Sequence, residues 1–272
     1  MVPENVTIRA SSLSDLFDCP ARWHARNILK LWMPSNYKAR LGTAVHAGAA
    51  AFDQARLDGN PITADDAAGA LVDALHRTED EEGREDIVDW EGENPKQYEQ
   101  IGLALHTTYC NGIALQQDYV AVELRCENLS FTDLGLTLTG TTDRVYRNAD
   151  GLLGITDIKT GTTAVGSDGT VKTAGHAAQL GVYSLLAEFG IGHPMTAPAQ
   201  IIGMQTGKTP KAQRVAVGEI EDVRAPLVGD ADSPGLLEHA SRIIHSGSFY
   251  GNPRSMLCSE KFCPAYQSCR FK

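Results

Sequence analysis

Two carboxylates and a lysine carry the clearest chemical signal in this 272-residue chain. Asp143 closes the run Gly140-Thr141-Thr142-Asp143, and after thirteen intervening residues comes Asp157-Ile158-Lys159. Between them, Ala149-Asp150-Gly151 has the form of a three-residue hairpin loop, whose last position is left-handed and suits glycine. This turn sets Asn148 opposite Leu152, and counting outward along both strands puts Asp143 opposite Asp157. Opposed residues share a face of the sheet, as does Lys159 two residues further on. Like charges so placed repel unless something compensates. A divalent cation is the simplest compensation, and carboxylate oxygens suit Mg²⁺ or Mn²⁺. The neighbouring ammonium is then placed to orient a water nucleophile or to stabilise charge on a phosphate. Taken alone, the triplet is also compatible with an exposed hairpin whose charges are merely solvated.

The cysteines make a second pattern. Of six, Cys110 and Cys126 read as small buried apolar residues on a helix and a strand. Cys258, Cys263 and Cys269 fall within twelve residues of the tail, with Pro264 after the second. Cys19, just before Pro20, is available as a fourth thiolate. Four thiolates fit a 4Fe–4S cluster or a structural Zn²⁺, and composition does not choose between them.

These residues need elements to position them. Helical spacing of apolar residues predicts helices over 11–30, broken or kinked at Pro20, and over 42–57, 63–77 and 96–117. Ser12 and Asp15 have the spacing of a capping box. Alternation takes over at Tyr119 and predicts strands near 120–124, 136–147 and 152–159. A Gly/Thr-rich loop (161–175), a helix (176–189), two strands (199–205 and 213–217) and a late helix (236–244) follow. The expected fold is α/β (α+β): one domain over 1–272, with a helical region at 11–118, a mixed-sheet core at 119–217 and a helix-plus-cysteine tail at 232–272.

Charge constrains the partner only weakly. Lys and Arg number 24 against 34 acids, a net charge of −10, which argues against a generally basic surface. Twelve of those acids lie in 65–93, and the remainder of the chain holds 22 of each sign. Arg22, Arg26, Lys30, Lys38 and Arg40 form a basic stretch without acids. No apolar run reaches the length of a membrane span, and no secretory leader pattern precedes Ala10, so a cytoplasmic location is expected, that of a host cell if the chain is viral.

The Asp143…Asp157-Ile158-Lys159 arrangement resembles the core of the PD-(D/E)XK nucleases, and more specifically their RecB/AddB branch. That branch has Gly-x-x-x-His on an upstream helix, matched by Gly42-Thr43-Ala44-Val45-His46. It has Gln-x-x-x-Tyr on the helix after the hairpin, matched by Gln179-Leu180-Gly181-Val182-Tyr183. With the cysteines, the matching features run from Cys19 to Cys269. The resemblance implies a restriction-endonuclease-like core whose metal is held by His46, Asp143, Asp157 and the Ile158 carbonyl, with Lys159 activating water. It implies that Gln179 and Tyr183 sit beside the active site and help to hold DNA or the lysine. Glu123 would stand outside the metal's immediate ligands. Iron–sulfur members carry one early cysteine before proline and three after the core, which implies a 4Fe–4S clasp on Cys19, Cys258, Cys263 and Cys269. The usual spacing there is Cys-x-x-Cys, then five residues, then Cys; here the first gap is four residues and the second is retained. The implied activity is Mg²⁺- or Mn²⁺-dependent exonucleolytic hydrolysis of DNA, often single-stranded, with Arg22, Arg26 and Arg254 tracking the backbone. A structure-specific endonuclease or a non-catalytic DNA-end-binding module would share these features.

Overall fold

A computed structural model describes residues 4–79, 85–230 and 232–272. The chain opens with a short strand, β1 (Val6–Arg9), and a single 3₁₀ turn. The helical stretch that follows is divided where Pro20 requires it. Helix α1 (Leu13–Asp18) ends, Cys19 is extended, and Pro20 is the first residue of α2 (Pro20–Asn27), where its missing N–H costs nothing. The break thereby presents Cys19. The expected Ser12–Asp15 capping box does not form: Ser12 makes no capping hydrogen bond, and Asp15 instead accepts one from Arg22.

A two-residue strand, β2 (Ser35–Asn36), precedes α3 (Tyr37–Leu57). This helix starts five residues before the predicted Gly42, because Asn36 caps it by accepting from the Ala39 N–H. Helix α4 (Ala64–His76) begins with a capping box between Thr63 and Asp66. The acid-rich 65–93 stretch lies partly outside the described residues. Its later part gives β3 (Val88–Asp89), which pairs with β2. The predicted helix over 96–117 divides at Asn111–Gly112 into α5 (Pro95–Cys110) and α6 (Ile113–Gln116).

The sheet follows: β4 (Asp118–Phe131), β5 (Leu136–Arg147), β6 (Leu153–Gly161), helix α7 (Ala177–Ile191), β7 (Ala199–Gln205) and β8 (Arg214–Ile220), closed by α8 (Leu236–His245) and the tail. Six strands form one mixed sheet ordered β1-β5-β6-β7-β8, with β4 also on β5. The β6–β7 pair is parallel, as a crossover through α7 demands. Its two faces bury separate cores. One gathers Leu136, Leu138, Val145 and Ile155 with Leu180 and Leu186 of α7 and Trp23 of α2. The other gathers Ile158, Ile202 and Met204 with residues of α3, α4 and α5. The fold is therefore a mixed α/β one, a central sheet flanked by helices and consistent with a restriction-endonuclease-like architecture. Among the described residues no helix is long and apolar enough to cross a membrane.

One detail of the pairing prepares the site. β4 runs along the whole length of β5, so β1 and β6 must share its other edge. β1 pairs with Leu136–Thr139 and β6 with Arg144–Arg147. Residues 140–143 lie between, with no strand beside them on that edge. β6 meanwhile continues to Gly161 against β7 alone, so β5 and β6 splay apart at Asp143 and Asp157.

Candidate active site

The hairpin turn fixes the register. Asn148 N–H donates to the Leu152 carbonyl at 2.9 Å, and Gly151 takes φ +80°. The rungs Arg147↔Leu153 through Arg144↔Thr156 follow, as the sequence requires. Asp143 and Asp157 are the next positions, where the strands part. The Asp143 carboxylate takes over the bridging: Oδ2 accepts from the Ile158 N–H at 2.8 Å. Both carboxylates are buried, at 7% and 2% exposure. Lys159 Nζ lies 2.6 Å from Asp157 Oδ2. This ion pair is the contact the buried Asp157 oxygen makes, with no further donor reaching it.

Helix α3 brings His46 to this point. Its Nδ1 is 3.2 Å from Asp143 Oδ2, and its Nε2 is 2.8 Å from the Ile158 carbonyl oxygen. The imidazole thus bridges the Asp143 carboxylate and the Ile158 carbonyl through its two ring nitrogens, which brings all three groups to one place. Strand β4 adds Glu123. The rungs Val122↔Arg144 and Leu124↔Thr142 place it across from Asp143. His46, Glu123 and Asp143 offer ligand atoms all within 4.8 Å of one another. Glu123 has φ +46°, a strained conformation for a side-chain-bearing residue of the kind that gathers at functional sites. The expectation that Glu123 stands back from the ligands is thus revised in geometry.

The charges are not at rest. Burial, reinforced by the Asp143 charge, pushes the Asp157 carboxyl up to about 6 despite Lys159. Burial also works against ionisation of Asp143, but His46 and the Ile158 N–H outweigh it and hold that carboxyl at about 2. Burial disfavours a charged His46, yet the Asp143 carboxylate overrides this and keeps the imidazole above its ordinary value. Burial and Asp143 raise Glu123 as well. An oxygen-rich set with one imidazole, two buried carboxylates among its members, has the chemistry of an Mg²⁺ or Mn²⁺ site. His46, Glu123, Asp143, Asp157 and the Ile158 carbonyl are the groups that would hold the ion.

Two further layers support this set. Gln179 donates to the Tyr183 hydroxyl at 3.2 Å on α7, and the Tyr183 ring lies against Gly140, where an added Cβ would come within 3.0 Å of it. Sequence reasoning missed the other layer. Arg144, next to Asp143 and fully buried, donates through Nε to Asp53 Oδ2 at 2.8 Å and through Nη1 to Glu123 Oε1 at 3.3 Å. Tyr109 donates to the same Asp53 oxygen at 2.5 Å. Asp53 lies seven residues after His46, two turns along the same face of α3. One helix therefore carries both the histidine and the anchor that sets its register on the sheet. The His46–Asp53 spacing was the available signal.

At the other end of the sequence, Cys19, Cys258, Cys263 and Cys269 all line one cavity beneath the tail, and all are free thiols. Asn252 N–H approaches Cys19 Sγ at 3.4 Å. Burial raises the Cys263 thiol above its usual value. Arg22 lines the same cavity. It is 1% exposed, binds Asp15 and Asp18 through Nη2, and leaves Nε and Nη1 unsatisfied. A buried guanidinium with spare donors beside four thiols fits an anionic, thiolate-ligated group. The same burial removes Arg22 from the residues able to track DNA; Arg26 and Arg254 are exposed.

No curated protein matches the chain. Among solved structures, the crystal structure of SSO0001 is similar over 99% of this chain and 88% of that one, at 16% identity and a TM-score of 0.43. The profile of the PD-(D/E)XK nuclease superfamily matches residues 7–270. With almost its whole length matched, the chain belongs to the PD-(D/E)XK nuclease superfamily.

Proposed function

We propose that this nuclease is a metal-dependent DNA exonuclease of the RecB/AddB type, acting on DNA ends, with single strands as the favoured substrate. The observation that carries the reading is the gathering of Asp143, Asp157 and Lys159 where β5 and β6 part, with His46 against Asp143. Nucleases of the superfamily use divalent metals, and a bound Mg²⁺ or Mn²⁺ supplies a water of lowered pKa and neutralises charge on the scissile phosphate. Asp143, Asp157, His46, Glu123 and the Ile158 carbonyl would hold that ion. Lys159, partly exposed beside Asp157, donates to the attacking water or to a phosphate oxygen. Gln179 and Tyr183 hold the strand or orient the lysine from α7.

Cys19, Cys258, Cys263 and Cys269 are assigned to a 4Fe–4S cluster, with structural Zn²⁺ as the alternative. A tetrahedral zinc with bonds of about 2.3 Å brings its sulfurs to roughly 3.8 Å of one another. Among the described residues no three of these thiols come within 4.8 Å, so the assignment rests on their shared cavity and on the resemblance. The cluster would tie α2 to the tail and complete a single nuclease domain. A role in recombination, repair or replication in a bacterium or its phage, in the cytoplasm, accords with this activity.

The test is incubation of the purified protein with end-labelled linear and with circular single-stranded DNA, in Mg²⁺ and in chelator. The expected outcome is metal-dependent loss of linear DNA only, reduced at least about a hundredfold by Lys159→Ala. Cleavage of circles would make it an endonuclease; binding without any cleavage would make it an end-binding module.

A further inference from the structure

The splay between β5 and β6 opens onto a second feature that the metal site does not use. A cleft of about 900 Å³ lies along the unpaired stretch of β5 and across it to β1 and β4. Arg9 of β1 and Arg125 of β4 line it, with Ser11, Asn128 and Thr141 supplying hydroxyl and amide groups. The strand register explains the arrangement. Arg9 is level with Thr139 across the parallel β1–β5 pair, and Arg125 with Thr141 across the antiparallel β4–β5 pair. Both guanidiniums are thus set on opposite sides of the same few residues of β5, and both are exposed.

The cleft runs along β5 toward the metal site. Thr141 is two residues from Asp143, and Tyr183, which also lines the cleft, pairs with Gln179. Among the described residues lining it there is no carboxylate, in a chain whose net charge is −10. A groove with two arginines, small hydroxyl donors and an aromatic wall matches a phosphodiester backbone with bases able to stack. The structure lacks comparable features on Arg22, which is buried, or on Arg40, which is occupied by backbone carbonyls and Asp86.

We propose that this cleft is the path of the DNA strand into the metal site, and that Arg9 and Arg125 are its phosphate-binding residues. The inference rests on the nuclease reading for the identity of its ligand. Arg9 and Arg125 lie outside the metal ligand set, so they contribute to binding rather than to the hydrolytic step.

The experiment measures binding of a labelled single-stranded oligonucleotide, with Ca²⁺ replacing Mg²⁺, over a range of salt. It compares the wild type, Arg9→Ala/Arg125→Ala, and a charge-matched control, Lys211→Ala/Arg242→Ala, at exposed positions elsewhere. Thermal melting confirms that each is folded. The Arg9/Arg125 variant is expected to bind about tenfold or more weakly, with its log–log salt slope shallower by about 1.4, two phosphate contacts at about 0.7 each. The control should match the wild type. Equal weakening in both variants, or an unchanged affinity and slope in the Arg9/Arg125 variant, would overturn the proposal. A wild type that binds through these arginines but never cleaves would leave the cleft standing and remove the nuclease reading instead.

Discussion

The splayed strands and the cysteine-lined cavity solve the same problem by different routes. Each brings candidate ligand atoms to one buried or half-buried place that a cation would stabilise. At the strands, the atoms come from one hairpin and a helix laid over it, and the scaffold is already satisfied by hydrogen bonds such as Asp143 to the Ile158 N–H. At the cavity, the atoms come from opposite ends of the chain, and the tail carrying three of them has no helix or strand of its own. A site built on secondary structure can survive the loss of its ion. A site built on irregular chain depends on it.

That difference sets the size of the expected effects. The largest belongs to the cysteines. On the proposed cluster assignment, the wild type is expected to be brown, and Cys19→Ser or Cys269→Ser should abolish the broad absorption near about 400 nm and lower the melting temperature steeply, since structural metal binding is folding free energy. Asp157→Asn, by contrast, should leave melting near or above the wild-type value while abolishing activity. If both variants lost stability alike, the contrast would collapse.

The buried anchor comes next. Asp53→Asn leaves Arg144 charged and buried with a weakened partner, which typically costs about 3–5 kcal/mol. Denaturant melts would read that loss. Because Arg144 also holds Glu123, affinity for Mn²⁺ should fall in the same variant.

The smallest effect is a pH dependence that sharpens the account of the strands. Asp157 titrates at about 6 in the folded protein, above its unfolded value of about 3.9. Its contribution to stability is therefore present below the unfolded value and lost as pH rises through about 6. Mg²⁺ favours the carboxylate and reverses this. The ion should raise the melting temperature by a few degrees at pH 7.5 and by almost nothing at pH 4.5. An equal rise at both values would place the ion elsewhere.

Much of the strand site was legible because a glycine turn fixes a register and a register fixes which residues meet. Gly151 therefore led to the Asp143–Asp157 juxtaposition, and the helix break at Pro20 led to the extended Cys19 position, which the structure buries. Glu123 was hidden by a different mechanism. The pairing of β4 with β5 starts at Phe131↔Leu136 and shifts register between Cys126 and Leu129, so counting back from the turn puts the wrong residue across from Asp143. A bulge of that kind leaves no mark in residue type. β1 was missed because four residues of alternating burial are too few to give a period. Asp53 was passed over in the sequence, where its one signal is the seven-residue spacing from His46; its partner Arg144 lies on another element. Arg22 misled in the opposite sense, since an arginine near a thiolate cavity and one on a DNA surface look alike in sequence.

The central claim is that the parting strands hold a divalent ion. Anomalous diffraction from a crystal soaked in Mn²⁺ tests it most directly. The expected result is a strong peak bonded to the Asp143 and Asp157 carboxylates and to the His46 ring, with Lys159 beside it. A protein saturated with Mn²⁺ whose peak lies elsewhere, with those side chains turned from any common point, would contradict the account.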